Sequence, residues 1–205
     1  MIDKIYTFDN VITKEEQFEI FNFVKTTNLE WKFEPNINSD YGSNGEKSFP
    51  ANVLSKFRLR NDSITTLIDK IQSNVIEKLN LNFVENYRYK INWTQPLNFD
   101  YNPMDLLHID NYVQHIAMIY YINDASGDTY IYDNTEGNNI EVYYKYSLNK
   151  IDYSKLKLIK KVNPKMGSVV VFNGGLHHHA NYPTNGDRYI INFNFVAKEK
   201  SKSLL

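Results

Sequence analysis

From Phe83 onward the sequence is a succession of short aromatic and β-branched runs, each cut off by a turn signal, with no long helical stretch between them. The runs read as strands near 86–94, 107–110, 114–122, 128–133, 139–146, 156–162, 168–172, 176–181 and 188–197. Their separators include Asn123-Asp124-Ala125-Ser126-Gly127, Asn134-Thr135-Glu136-Gly137, Asn163-Pro164-Lys165-Met166-Gly167 and Thr184-Asn185-Gly186-Asp187. Parallel strands need a crossover helix, and none is offered here. The chain must therefore build an antiparallel sandwich or barrel, with a jelly roll among the standard solutions.

The segment before Phe83 is different in kind. Thr13-Lys14-Glu15-Glu16 fits a capping box, and Phe18, Ile20, Phe21 and Val24 follow at helical spacing. A second helix is expected over Asp62–Leu79, with Ile64, Leu67, Ile68, Ile71, Val75 and Leu79 on one side. Between them, Glu34 to Pro50 is polar and turn-rich and reads as a long loop. The whole is a mainly β chain with N-terminal helices, an α+β arrangement in which the helices cover one face of the sheet. We read 1–205 as a single domain, with helical support over 1–82 and the β core over 83–198. The polar tail KEKSKSLL reads as frayed.

Composition narrows the chemistry. The chain has no cysteine, which excludes disulfides, thiolate metal sites and thiol nucleophiles. A metal would have to be held by His, Asp, Glu or backbone oxygen. The 23 Lys and Arg balance 24 Asp and Glu, so the footprint of a protein that grips a nucleic-acid backbone is missing, and a nucleic-acid substrate is disfavoured. No apolar run approaches the length of a membrane span, and the start lacks the pattern of a signal peptide. The expectation is a cytoplasmic protein with no membrane partner. Abundant Asn, Ile, Lys, Tyr and Phe suggest AT-rich coding, as in some viruses and small-genome bacteria.

Three signals carry chemistry. In His108-Ile109-Asp110 an imidazole and a carboxylate stand two positions apart, on one face of an extended strand. About 70 residues later an apolar strand runs through Gly174-Gly175 into His177-His178-His179, where it can return beside the first pair. Together they make a 2-His-1-carboxylate facial triad, which leaves coordination positions open as in non-heme Fe(II) oxygenases. The third signal is Arg188, opening the apolar strand Arg188–Phe195. A guanidinium binds a carboxylate bidentately, which suits an acidic cosubstrate; a structural salt bridge is the competing reading.

In this order the signals resemble the 2-oxoglutarate- and Fe(II)-dependent dioxygenases, in particular the prolyl 4-hydroxylase-like branch. The resemblance covers about 86–196 and includes His108-Ile109-Asp110, the strand Ile119-Tyr120-Tyr121-Ile122-Asn123, the turn Gly127-Asp128-Thr129, a distal histidine, Pro183 and Arg188. The chain also resembles the small oxygenases that phages and viruses encode, which would put it in a host cytoplasm.

The resemblance implies a double-stranded β-helix, the jelly roll of the cupins. It implies Fe(II) on His108, Asp110 and one of the histidine triplet. His178 and His179 are alternatives, facing opposite sides of a strand. The distance from Phe172 and the small Ala180 favour His178, our first choice; the spacing to Pro183 favours His179. Arg188 would anchor the distal carboxylate of 2-oxoglutarate, with the Tyr121 hydroxyl beside it and Asn92 contributing from a neighbouring strand. His115 shares the face of Tyr121 and would border the pocket or stand in the core. With O2, and ascorbate as an accessory reductant, such a site releases succinate and CO2 and hydroxylates a substrate C–H. A peptidyl, prolyl-type substrate leads, with a free small molecule as the other class. Glu34–Pro50 and Pro96–Asp105 are candidate lids. Two other readings are a non-catalytic jelly-roll binding module and a cupin-type metal enzyme that has no use for 2-oxoglutarate.

Overall fold

The computed structural model describes residues 2–27, 29, 31–33, 53–57, 62–97, 100–111, 113–135 and 152–200. Among these residues, ten strands and two helices run in the order β1 (Tyr6–Phe8), α1 (Lys14–Thr26), β2 (Lys32–Phe33), β3 (Val53–Phe57), α2 (Asp62–Lys78), β4 (Leu81–Thr94), β5 (Ile116–Tyr121), β6 (Thr129–Asn134), β7 (Leu156–Val162), β8 (Val169–Asn173), β9 (His177–Ala180) and β10 (Arg188–Glu199). Short 3-10 turns sit at Pro103–Leu106 and Tyr153–Lys155.

A larger sheet has the order β1-β8-β5-β10-β4-β3-β2, and a smaller one has the order β7-β6-β9. Each pairing is antiparallel. Two antiparallel sheets with few helices are consistent with the jelly-roll-like double-stranded β-helix that the resemblance implies, one of the antiparallel solutions the strand pattern left open. Among the described residues, no helix is long and apolar enough to cross a membrane.

Alternation along β10 divides the molecule into two environments. Tyr189, Ile191, Phe193 and Phe195 join Ile91, Met118, Tyr120, Val169 and Val171 in one apolar cluster. Helix α2 covers it with Ile64, Ile68, Ile71 and Val75, all at most 2% exposed. The opposite face carries Arg188, Ile190, Asn192 and Asn194, and it looks between the sheets. There Ala117, Ile119, Tyr121, Val170, Phe172 and Ile190 meet Ile131 of the smaller sheet. Burying one large apolar side chain is worth ~1.5–3 kcal/mol, so the helix-facing layer holds the sheet rigid while the other layer is free to be polar.

Helix α1 begins as expected. The Thr13 hydroxyl accepts from the Glu16 N–H, and the Glu16 carboxylate accepts from the Thr13 N–H. Its buried stripe differs from the expected one: Phe18 is 54% exposed and Phe21 only partly buried, while Gln17 joins Ile20 and Val24 in the interior. The Gln17 amide is satisfied there, donating to the Ile12 carbonyl at 3.0 Å and to Asn10 Oδ1 at 3.3 Å. Gly167, at φ +78°, leaves the room that this amide occupies.

Several expected strands shift. The run at 107–110 forms no strand; only His108 pairs, in a single bridge with His178, because the 3-10 turn at Pro103–Leu106 leads directly into it. Strand β4 starts at Leu81 rather than 86. Strands β1, β2 and β3 were not foreseen from the sequence. The run at 139–146 and the loop at 34–50 lie outside the described residues.

Candidate metal centre

The bridge between His108 and His178 builds the site. His108 N–H donates to the His178 carbonyl at 3.0 Å, and His178 N–H donates back to His108 at 2.9 Å. Two histidines from distant parts of the chain are thereby set side by side, with ring centroids 4.5 Å apart. Asp110 stands two positions beyond. One donor atom each from His108, Asp110 and His178 lie within 4.8 Å of one another. His108 Nε2 is 3.8 Å from Asp110 Oδ1, and His178 Nε2 is 3.7 Å from Asp110 Oδ2.

Orientation comes from the backbone. His108 Nδ1 meets the Leu106 carbonyl at 2.8 Å and His178 Nδ1 meets that of Leu176 at 3.0 Å. Carbonyls only accept, so each Nδ1 carries a proton and each Nε2 is turned toward Asp110 and the space beside it. Burial, reinforced by the nearby His108, pulls the His178 pKa down to about 3, so its ring is neutral at ordinary pH. For Asp110, burial works against ionisation. The neighbouring His178, His108 and Arg88 and the Asn192 amide outweigh it and hold the carboxyl well below the usual range. Two imidazoles and one carboxylate are an N/O donor set suited to a divalent first-row metal.

His179 points elsewhere. It stacks on Tyr130 with centroids 5.0 Å apart, and its Nε2 meets the Tyr132 hydroxyl at 3.1 Å. The register explains the split, because β6 sets Ile131 opposite His178 and Tyr130 opposite His179. His177 shares the face of His179, as alternation requires.

Arg188 lies inside the molecule at 3% exposure. One terminal N–H donates to Thr129 Oγ1 at 3.1 Å, and the Tyr121 hydroxyl donates to the same oxygen at 2.9 Å. The guanidinium carbon sits 5.7 Å from the Tyr121 ring centroid. Its Nε has no hydrogen-bond partner among the described residues, and no carboxylate there lies within salt-bridge distance. Burial pulls its pKa down, the mark of a cation short of counter-charge. The salt-bridge reading therefore finds no partner among the described residues, and the open donors fit a carboxylate. Asn92 stands opposite Ile190 on the same face, and its Oδ1 is buried without a partner there. His115 donates to the Val113 carbonyl at 2.7 Å and packs its ring on Gly174, where a side chain would collide with it.

Three residues of this site were missed in the sequence. Thr129 links Tyr121 to Arg188, and it lies in the Gly127-Asp128-Thr129 turn without having been singled out. Asn192 donates from Nδ2 to both Asp110 oxygens, at 3.1 and 3.0 Å. It stands four positions after Arg188 on one strand face, so alternation alone could have found it. Arg88 reaches Asp110 Oδ1 at 3.1 Å from β4, on the face of Asn92.

No family model matches the chain, and no curated protein does. Solved structures match over nearly its whole length. A prolyl hydroxylase from Trichoplax adhaerens, in complex with a hypoxia inducible factor peptide fragment, aligns with TM-score 0.60 at 13% identity, covering 93% of this chain and 83% of that one. A viral collagen prolyl hydroxylase from Paramecium Bursaria Chlorella virus-1, complexed with 2OG, gives 0.51 at 15%, covering 96% of each. A non-heme alpha ketoglutarate dependent epimerase from nogalamycin biosynthesis gives 0.58 at 9%, covering 98% and 82%. The chain has the fold of the prolyl 4-hydroxylase-like 2OG-Fe(II) oxygenases.

Proposed function

We propose that this protein is a 2-oxoglutarate- and Fe(II)-dependent oxygenase that hydroxylates a substrate C–H. The observation that carries it is the convergence of His108 Nε2, Asp110 and His178 Nε2, together with a buried arginine with open donors on the strand face that also carries Asn192. In this reading His108, Asp110 and His178 hold the metal. Arg188 binds the distal carboxylate of 2-oxoglutarate, with Tyr121 and Thr129 shaping its seat and Asn92 offering a further polar contact. Bound Fe(II), with 2-oxoglutarate and O2, supplies the oxidation and leaves succinate and CO2.

The chain's own residues have three tasks. The Leu106 and Leu176 carbonyls fix the imidazoles in one tautomer and one orientation. Asn192 and Arg88 keep Asp110 ionised and aimed. Ile119, Ile131, Phe172 and Ile190 line the interior between the sheets and exclude bulk water. The chain works as one unit in this reading, with 1–82 supporting a catalytic core over 83–198. A cytoplasmic setting goes with it.

A peptidyl, prolyl-type residue is the first substrate to try, supported by two prolyl hydroxylases among the similar structures, one of them holding a peptide. The epimerase shows that one fold hosts other outcomes, so the product has to be weighed as well as detected. The direct test is anaerobic addition of Fe(II) and 2-oxoglutarate, followed by the visible charge-transfer absorption of the chelate. The band should form in the wild type and fail in Asp110→Ala. Absence of both the band and any heat of 2-oxoglutarate binding in the wild type would overturn the reading.

A further inference from the structure

We propose that Arg88 reads a carboxylate on the substrate, so that the oxidised carbon lies within a few bonds of an acidic group. The inference rests on the oxygenase reading above and names the substrate class for that same site.

Arg88 sits on β4 opposite Asn194, on the face that looks between the sheets. Its terminal nitrogen is 3.1 Å from Asp110 Oδ1, so an anion gripped by this guanidinium stands beside the metal-ligating carboxylate. The side chain is 36% exposed, whereas Asp110 and His178 are each 4% exposed. His108, at 22%, is the triad's most open member. Arg88 and His108 therefore mark the side from which solvent, and a substrate, reaches the centre.

Asp110 does not depend on Arg88 alone. Asn192 already donates to both carboxylate oxygens, and the two imidazoles flank them. Arg88 contributes one N–H to that carboxylate, in a single-point contact, and its remaining donors have no partner among the described residues. A guanidinium is a planar fork of five N–H groups built for two-point binding of a carboxylate. Most of that fork is still open.

Charge points the same way. With a divalent ion, dianionic 2-oxoglutarate, Asp110, Arg188 and Arg88 counted together, the site carries one net positive charge, and Arg88 shares Asp110 with the metal. Lined this way, the entrance favours an acidic substrate over a neutral or basic one. The carboxylate has two sources: an acidic residue in a peptide, or a free amino or carboxylic acid.

The test uses the full-length protein loaded with Mn(II) and saturated with 2-oxoglutarate, so that Arg188 is occupied. Binding near the metal is read from the proton relaxation enhancement of added probes. One arm pairs proline-containing peptides flanked by Asp or Glu with the same peptides bearing Asn or Gln. The other pairs free amino acids, proline among them, with their amides. The arm that responds names the source. In the responding arm the acid should bind at least about tenfold more tightly than its amide. Arg88→Gln should bring that ratio to about one, with Arg88→Lys in between. A variant that merely loosened Asp110 would weaken acid and amide alike and leave the ratio intact, which would overturn the proposal. Equal binding of acid and amide to the wild type, or no binding of any acid, would overturn it as well. Failure of 2-oxoglutarate itself to bind would show instead that the oxygenase reading is wrong, and this inference would fall with it.

Discussion

His178 and His179 are adjacent in sequence and face opposite ways. Which one faces His108 and Asp110 is set by register: His178 lies over Ile131 and pairs with His108, whereas His179 stacks on Tyr130. This could not be read from spacing, because both positions satisfied the count to Arg188. Removing a metal ligand costs far more than removing a neighbour, so His178→Ala should weaken Mn(II) binding by roughly a hundredfold or more, while His179→Ala stays within a fewfold of wild type. Metal titration under anaerobic conditions distinguishes the two, and the reverse order would move the ligand to His179. Arg188 offers a second comparison. Charge-assisted hydrogen bonds contribute ~1.5–3 kcal/mol, so Arg188→Ala should weaken 2-oxoglutarate about ten- to hundredfold in calorimetry while metal binding persists. Thr129→Val should act more weakly in the same direction, since it removes only the shared oxygen that seats Arg188 and Tyr121. Unchanged affinity in Arg188→Ala would remove the anchor from the account.

At the scale of elements, what was legible was what repeats along the chain. Strands with clean aromatic or β-branched runs, such as β5, β8 and β10, fall within one or two residues of their expected bounds. So do α1 with its capping box and α2 with its apolar stripe. The short strands β1, β2 and β3 were not legible. They carry two to five residues each and exist because a sheet edge was available, a tertiary reason that leaves no local pattern. The same holds for His108, whose single bridge imitates a strand. Two substitutions probe these elements. Thr13→Ala removes one half of the capping box and should cost ~1 kcal/mol, seen as a lower denaturation midpoint. Gly174→Ala places a methyl group where the His115 ring lies, and overpacking of this kind costs ~1–3 kcal/mol. If Gly174→Ala were as stable as wild type, His115 would have to be free to move, and its ring would not be a fixed wall beside the site.

At the scale of the whole molecule, the fold was readable although no family model matches, because a jelly roll asks for a pattern rather than particular letters. Sequence identity to the similar structures is only 9–15%, so what they share with this chain is the fold. The substrate was not readable in the sequence, and the contact of Arg88 with Asp110 on which our proposal for it rests forms only in three dimensions. The division of labour between the two faces of the larger sheet also belongs to this scale. Phe193 is fully buried in the helix-facing layer, so Phe193→Ala should lower stability by ~3–5 kcal/mol. The folded fraction of that variant should still bind Mn(II), because the triad lies on the other side; loss of metal binding beyond loss of fold would show that the layers are coupled. The central claim is that this architecture performs iron- and 2-oxoglutarate-dependent oxidation. Its most direct test is succinate formation from 2-oxoglutarate by anaerobically Fe(II)-loaded protein on admission of O2, with and without a peptide pool. The account predicts succinate that requires iron, disappears in Asp110→Ala and falls sharply in Arg188→Ala. Succinate formation that was indifferent to both substitutions, or no succinate from protein that binds neither iron nor 2-oxoglutarate, would contradict it.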